Sequence, residues 1–198
     1  MKYPTRFCLP FAWIFGLAFL MISCNSERVQ NTRELAQEMN NRKIKRITSA
    51  QLTSTVDEWG KAVVKSAEKI VADELAKAEP KRAKELCNPE KLAAIQKLEK
   101  QFGVQINLLR ASDAKNVALP AKERELVDAY LYNAKQKLSQ SDNIQPIGDT
   151  LLIYNAAVPT ENIICKTCSD EASQPFAIWR VVFSKSEVIR RVDPKKLR

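Results

Sequence analysis

The residues most directly suited to chemistry in this chain are Cys165 and Cys168, in Cys-Lys-Thr-Cys. Two cysteines with two residues between them can close a disulfide, supply half of a metal site, or carry the two thioether bonds of a c-type haem. Haem attachment also needs a histidine directly after the second cysteine, to ligate the iron. Ser169 stands there, and the chain contains no histidine. That absence removes Ser-His and Cys-His catalytic pairs, His-ligated zinc and His-ligated haem. Only four glycines are present, and none forms a phosphate-cradling loop. No catalytic constellation is left apart from the cysteines. No metal site is expected either, because Cys87, Cys165, Cys168 and Asp170 lack a firm fourth zinc ligand.

The start of the chain points to where these cysteines are expected to work. Lys2 and Arg6 precede an apolar run from Phe11 to Ile22, which meets Ser23-Cys24. A basic start, a short apolar core and a small residue before the cut make a secretory signal. The run is shorter than the roughly 20 residues of a membrane-spanning helix. Met21-Ile-Ser-Cys24 resembles the lipobox of bacterial lipoproteins, which implies that Cys24 is lipidated and becomes the first mature residue. One acyl chain holds a membrane only marginally, at ~0.8 kcal/mol per buried methylene, so stable anchoring takes several. The expected location is the cell envelope, periplasmic or at the outer membrane, with the membrane itself as one partner. Of 32 basic and 23 acidic residues, removal of residues 1–23 takes Lys2, Arg6 and no acid, leaving +7. The excess is spread along the chain. It favours anionic lipid or polysaccharide and does not single out nucleic acid.

The elements that must position the cysteines follow from periodicity. Residues 24–47 are polar and read as a tether, or a loosely held helix, with a basic cluster at Arg42, Lys43, Lys45 and Arg46. From Thr48, Leu52, Val56, Trp59, Val63, Ala67 and Ile70 recur at steps of three or four, which predicts a long helix ending at Glu79-Pro80. Gly60 and charges inside that stripe argue for packing on its own domain and against a dimer seam. Cys87-Asn-Pro89 predicts a turn, with Asn88 capping a helix whose inner face is Leu92, Ile95, Leu98 and Phe102 and which Gly103 stops. Val104–Leu108 alternates like a half-buried strand. A loop from Arg110 to Pro120 leads into a helix reaching about Leu138, with Leu126, Ala129, Tyr130 and Asn133 inward and Glu123 in water. Thr150–Asn155 predicts a strand after a turn-rich stretch. Phe176–Phe183, apolar on both faces apart from Arg180, predicts a central strand. Val188-Ile189 reads as either a strand or a short helix. Helices first and strands late give an α+β domain over 48–192 with one mostly antiparallel sheet, followed by a basic tail over 193–198.

The order of these features is similar to a domain-of-unknown-function family with a PAS-like fold, the Tll-type single-haem c domain. The likeness rests on Cys87-Asn88 opening a helix, a strand leading to Arg110-Ala-Ser112 with Asn116 and Pro120 beyond, and the Cys165-x-x-Cys168 segment before a closing apolar strand. It covers roughly residues 50–190 and implies a PAS-like sheet flanked by helices in an exported sensor protein. In that family haem c is bound through Cys-x-x-Cys-His, with a cysteine from the earlier helical region as the second axial ligand. The resemblance puts the thioether cysteines at Cys165 and Cys168, the cysteine ligand at Cys87 and the missing histidine at Ser169. A hydroxyl is a weak iron ligand, so no covalent haem, and no other cofactor, is expected.

Outside the cytoplasm nearby cysteines oxidise. The preferred expectation is a Cys165–Cys168 disulfide left where haem attaches in the family. Cys87 is then a buried thiol or the partner of one of the two. Two other readings stay open. One is a periplasmic thiol-disulfide oxidoreductase through Cys165 and Cys168, with Lys166 favouring a thiolate. The other is a noncovalent haem sensor using Cys87 as thiolate ligand. Arg110 and Ser112 are candidates for a ligand pocket, against a plainer role in loop hydrogen bonding. The favoured reading is a non-catalytic, lipid-anchored domain that binds an unknown small molecule or protein.

Overall fold

The computed structural model describes residues 47–170 and 175–193, together with Leu35, Ala36, Glu38 and Met39. The signal segment, the lipobox Cys24, most of the tether and the tail from residue 194 lie outside the described residues. The chain divides into a unit over 1–43 and a unit over 44–198. In the first, the four described residues are helical and exposed. Among the described residues no helix is long and apolar enough to cross a membrane.

The second unit is α+β, as its periodicities predict. Helix α1 (Ser49–Leu75) begins at a reciprocal cap: Thr48 Oγ1 accepts from the Gln51 N–H at 3.2 Å, and Gln51 Oε1 accepts from the Thr48 N–H at 3.1 Å. Its stripe of Leu52, Val56, Val63, Val64, Ala67, Val71 and Leu75 is buried. Gly60 does not interrupt it. A Cβ at that position would overlap the ring of Tyr154, so the glycine lets the helix lie against the sheet. A short helix, α2 (Pro80–Leu86), follows with Pro80 in its first turn.

Asn88 departs from expectation. It opens a 3₁₀ turn over Pro89–Lys91 without a side-chain cap, and helix α3 (Ala93–Phe102) starts after Leu92. The proline at 89 fits a tight turn, and the Asn88 side chain is drawn away by Arg110. Gly103, at φ 68°, ends α3 as expected.

The sheet has four antiparallel strands in the order β1-β4-β3-β2. They are β1 (Val104–Leu109), β2 (Asn143–Ile147), β3 (Leu151–Ala157) and β4 (Ile178–Ser184). The strand predicted to be central, β4, is flanked by β1 and β3. Strand β2 falls between the two turn-rich segments, 139–143 and 148–149, where the sequence reading placed no element. It is an edge strand, which is why it tolerates Pro146. On one face Ile106, Leu108, Leu152, Tyr154, Trp179, Val181 and Phe183 join the buried stripe of α1 in the main core. On the other, Leu109 and Ile178 pack with Phe176, and with Val127 and Tyr130 of helix α4 (Ala121–Lys135), in a smaller core.

The inward face of α4 corrects the sequence reading. Glu123, Val127 and Tyr130 are buried, while Ala129 is exposed and Leu126 half-buried. The frame is set by a bidentate ion pair: both Glu123 carboxylate oxygens accept from Arg180 of β4, at 3.0 Å for Nη2 to Oε1. Arg180 Nη1 also donates to Asn107 Oδ1 at 3.0 Å. The last elements are α5 (Ile163–Cys168), which carries both paired cysteines, and α6 (Lys185–Arg191), so Val188-Ile189 is helical.

Candidate functional site

The cysteines meet at one corner of the main core. Helix α5 begins because Asn162 caps it: its Oδ1 accepts from the Ile164 N–H at 2.9 Å, and its Nδ2 donates to Glu68 of α1. The Asn before Ile163-Ile164 is a signal the sequence reading did not use. Ile164, Cys165 and Cys168 face the core. Cys87, at the end of α2, arrives from the other side.

The disulfide formed there is Cys87–Cys168, with Cα atoms 5.3 Å apart, and not Cys165–Cys168. Cys87 and Cys168 sit on separate elements, each ending at the same apolar corner, at a Cα separation inside the range a relaxed bridge adopts. Cys165 lies one helical turn before Cys168, is fully buried and remains a thiol. Burial pushes its pKa up, only partly opposed by hydrogen bonds from Ser169 and Ala177. The thiolate, the form that attacks disulfides, is therefore disfavoured.

Ser169 is not a free hydroxyl. Its Oγ accepts from the Phe176 N–H at 2.7 Å and lies in hydrogen-bonding reach of the Cys165 carbonyl and, at 3.2 Å, the Phe176 carbonyl. It ties the end of α5 to the entry of β4. As bonded here, this set does not fit a c-type haem: no imidazole follows Cys168, and the sulfurs of Cys87 and Cys168 are joined to each other.

Arg110 and Ser112 lie beside this corner and serve as ties. Arg110 Nη2 donates to Asn88 Oδ1 at 3.3 Å, next to Cys87, and its N–H donates to Asp113 at 2.8 Å. The Ser112 N–H donates to the Asp170 carboxylate at 2.7 Å, two residues past Cys168. The Ser112 contribution is thus its backbone. The 3₁₀ turn over Ala111–Lys115 is held to both segments that the disulfide joins. Asp170 is committed to this tie. Among the described residues, no group of three or more His, Cys, Asp or Glu side chains is placed to hold a metal ion.

A second concavity, not anticipated from the sequence, lies at the far end of α4. It is a cleft of about 690 Å³ between Ala134–Gln140 and the end of β3 with the residues after it, Ala157–Glu161. Compared with family models, curated proteins and solved structures, the chain matches none of them.

Proposed function

We propose that this chain is a lipid-anchored, extracytoplasmic, non-catalytic binding domain, PAS-like in its sheet and related to single-haem c sensor domains, that works without covalent haem. The observation that carries this reading is the state of the three cysteines. A Cys87–Cys168 bridge suits an oxidising compartment, in line with the lipobox at Cys24. The remaining thiol, Cys165, is buried and kept protonated by its surroundings, a poor start for disulfide exchange. One antiparallel sheet with helices against both faces supports the PAS-like comparison.

Three measurements test it. Expression with haem-maturation machinery is expected to give no Soret band that survives acid-acetone extraction; a surviving band refutes the absence of covalent haem. Cell fractionation is expected to place the chain in the membrane fraction and to lose it from there in Cys24→Ser. A chain that fractionates identically with Cys24→Ser refutes the anchor. Insulin reduction is expected to equal that of Cys165→Ser, and activity above that control would establish an oxidoreductase instead.

One observation favours a second reading, a noncovalent haem sensor. Cys87, Cys165 and Cys168 converge at one apolar corner, as the family's haem ligand set would require. Reduction would free Cys87 as a thiolate ligand. Haem titrated into reduced protein would then give a spectrum that Cys87→Ala changes; identical spectra in the two remove this reading.

A further inference from the structure

The cleft at the end of α4 has a charge pattern of its own. Lys135 and Lys137 line one wall and Glu161 the other. Neither lysine has an ion-pair partner among the described residues. Gln140 lines the same stretch, with its Oε1 buried out of reach of the cleft. The lining also includes Leu138, 53% exposed, with Val158 and Pro159.

Lys137 also stands where its backbone works against it. Helix α4 closes with the Lys137 N–H on the Ala134 carbonyl at 3.1 Å and the Leu138 N–H on the Asn133 carbonyl at 2.9 Å. That closure puts Lys137 at φ 54°, the one non-glycine at positive φ among the described residues. Glycine is the usual occupant of such a position. A long cation kept there, beside a second unpaired cation and at the mouth of a cleft, points to a use for its charge.

We propose that this cleft binds a small zwitterion, an α-amino acid with an aliphatic side chain. Lys135 and Lys137 take the carboxylate, Glu161 takes the ammonium, and Leu138 covers the side chain. This rests on the reading of the chain as a binding domain and adds the ligand class and its place.

The test is calorimetric titration of the full chain with L-leucine, L-leucinamide and N-acetyl-L-leucine, beside the Lys137→Gly variant. Leucine is expected to bind at least about tenfold more tightly than either capped form. Lys137→Gly is expected to unfold no earlier than the native chain, since glycine relieves the positive φ, and to lose leucine binding about tenfold. Leucinamide or N-acetyl-leucine binding as well as leucine overturns the proposal. So does no heat from leucine at millimolar concentration, or full binding by a folded Lys137→Gly. Failure here leaves the fractionation and haem results standing, so the site and the broader function fail separately.

Discussion

Reducing the Cys87–Cys168 bridge should remove a calculable part of the stability of the 44–198 unit. The bridge spans 81 positions. Chain-entropy arithmetic for a loop of that size gives about 4.5 kcal/mol, and measured bridges usually deliver about 2–4 kcal/mol. The same arithmetic gives only ~2 kcal/mol for the four-residue loop that a Cys165–Cys168 bond would close. Magnitude therefore separates the two pairings, and a peptide map separates them directly. Trypsin cuts after Lys166, between the two cysteines of α5. An unreduced digest should contain residues 85–91 bonded to residues 167–180, with Cys165 alkylated in the peptide 138–166. The energy is read from urea titrations with and without reductant, followed by the fluorescence of Trp59 and Trp179. Cys87→Ala with Cys168→Ala should match the reduced protein to within the cost of two small cavities. An unchanged midpoint on reduction, or peptide 138–166 bonded to 167–180, would refute the reasoning.

Gly60→Ala should destabilise the unit by about 1–3 kcal/mol through overlap with Tyr154, although alanine is the better helix former; a rise in urea midpoint would contradict that contact. Glu123→Ala should cost about 3 kcal/mol or more, because it strands a nearly buried guanidinium. Replacing both partners by leucine should recover most of that loss, and a Glu123→Ala protein as stable as native would refute the account. Burial, helped by Asp142, raises the Tyr130 phenol to about 12. Burial and a hydrogen bond to Asp142 raise Tyr154 further. A raised phenol is protonated in the folded state where the unfolded chain has already lost its proton. This stabilisation is complete below about pH 10 and is lost as pH climbs toward 12 and beyond. Urea midpoints should fall over that window, and Tyr154→Phe should fall less steeply; parallel curves would refute the assignment.

The parts of the fold legible in the sequence were those with long, regular periodicity. The α1 stripe, the Gly103 stop and the central place of β4 could be read because each is written in consecutive residue types. Strand β2 was hidden by Pro146 and by surrounding turn residues, and only its partner β3 makes it a strand. The frame of α4 was misread because Glu123 is acidic, and acidic residues in a first helical turn ordinarily face water. Arg180, 57 positions away, reverses that choice. The cysteine corner was legible in its members and not in its pairing. Three sulfurs allow three bonds, and which two meet depends on how α2 and α5 converge across the core. Lys137 was invisible as a site residue, since nothing in its sequence neighbourhood announces a positive φ.

The Glu123–Arg180 pair also says which wrong structures this sheet avoids. Asn107, Arg180, Asn155 and Asn143 lie side by side across all four strands, in register and on the face opposite α1. Slipping β4 by a single residue would turn the guanidinium into the apolar layer beneath α1 and carry Trp179 out toward α4. For a strand apolar on both faces apart from Arg180 and its last residue, Ser184, one misplaced charge is then the principal penalty against mispairing. The pair acts as a locating pin: it fixes the alignment of the central strand even where replacing it with leucine would leave the folded protein nearly as stable.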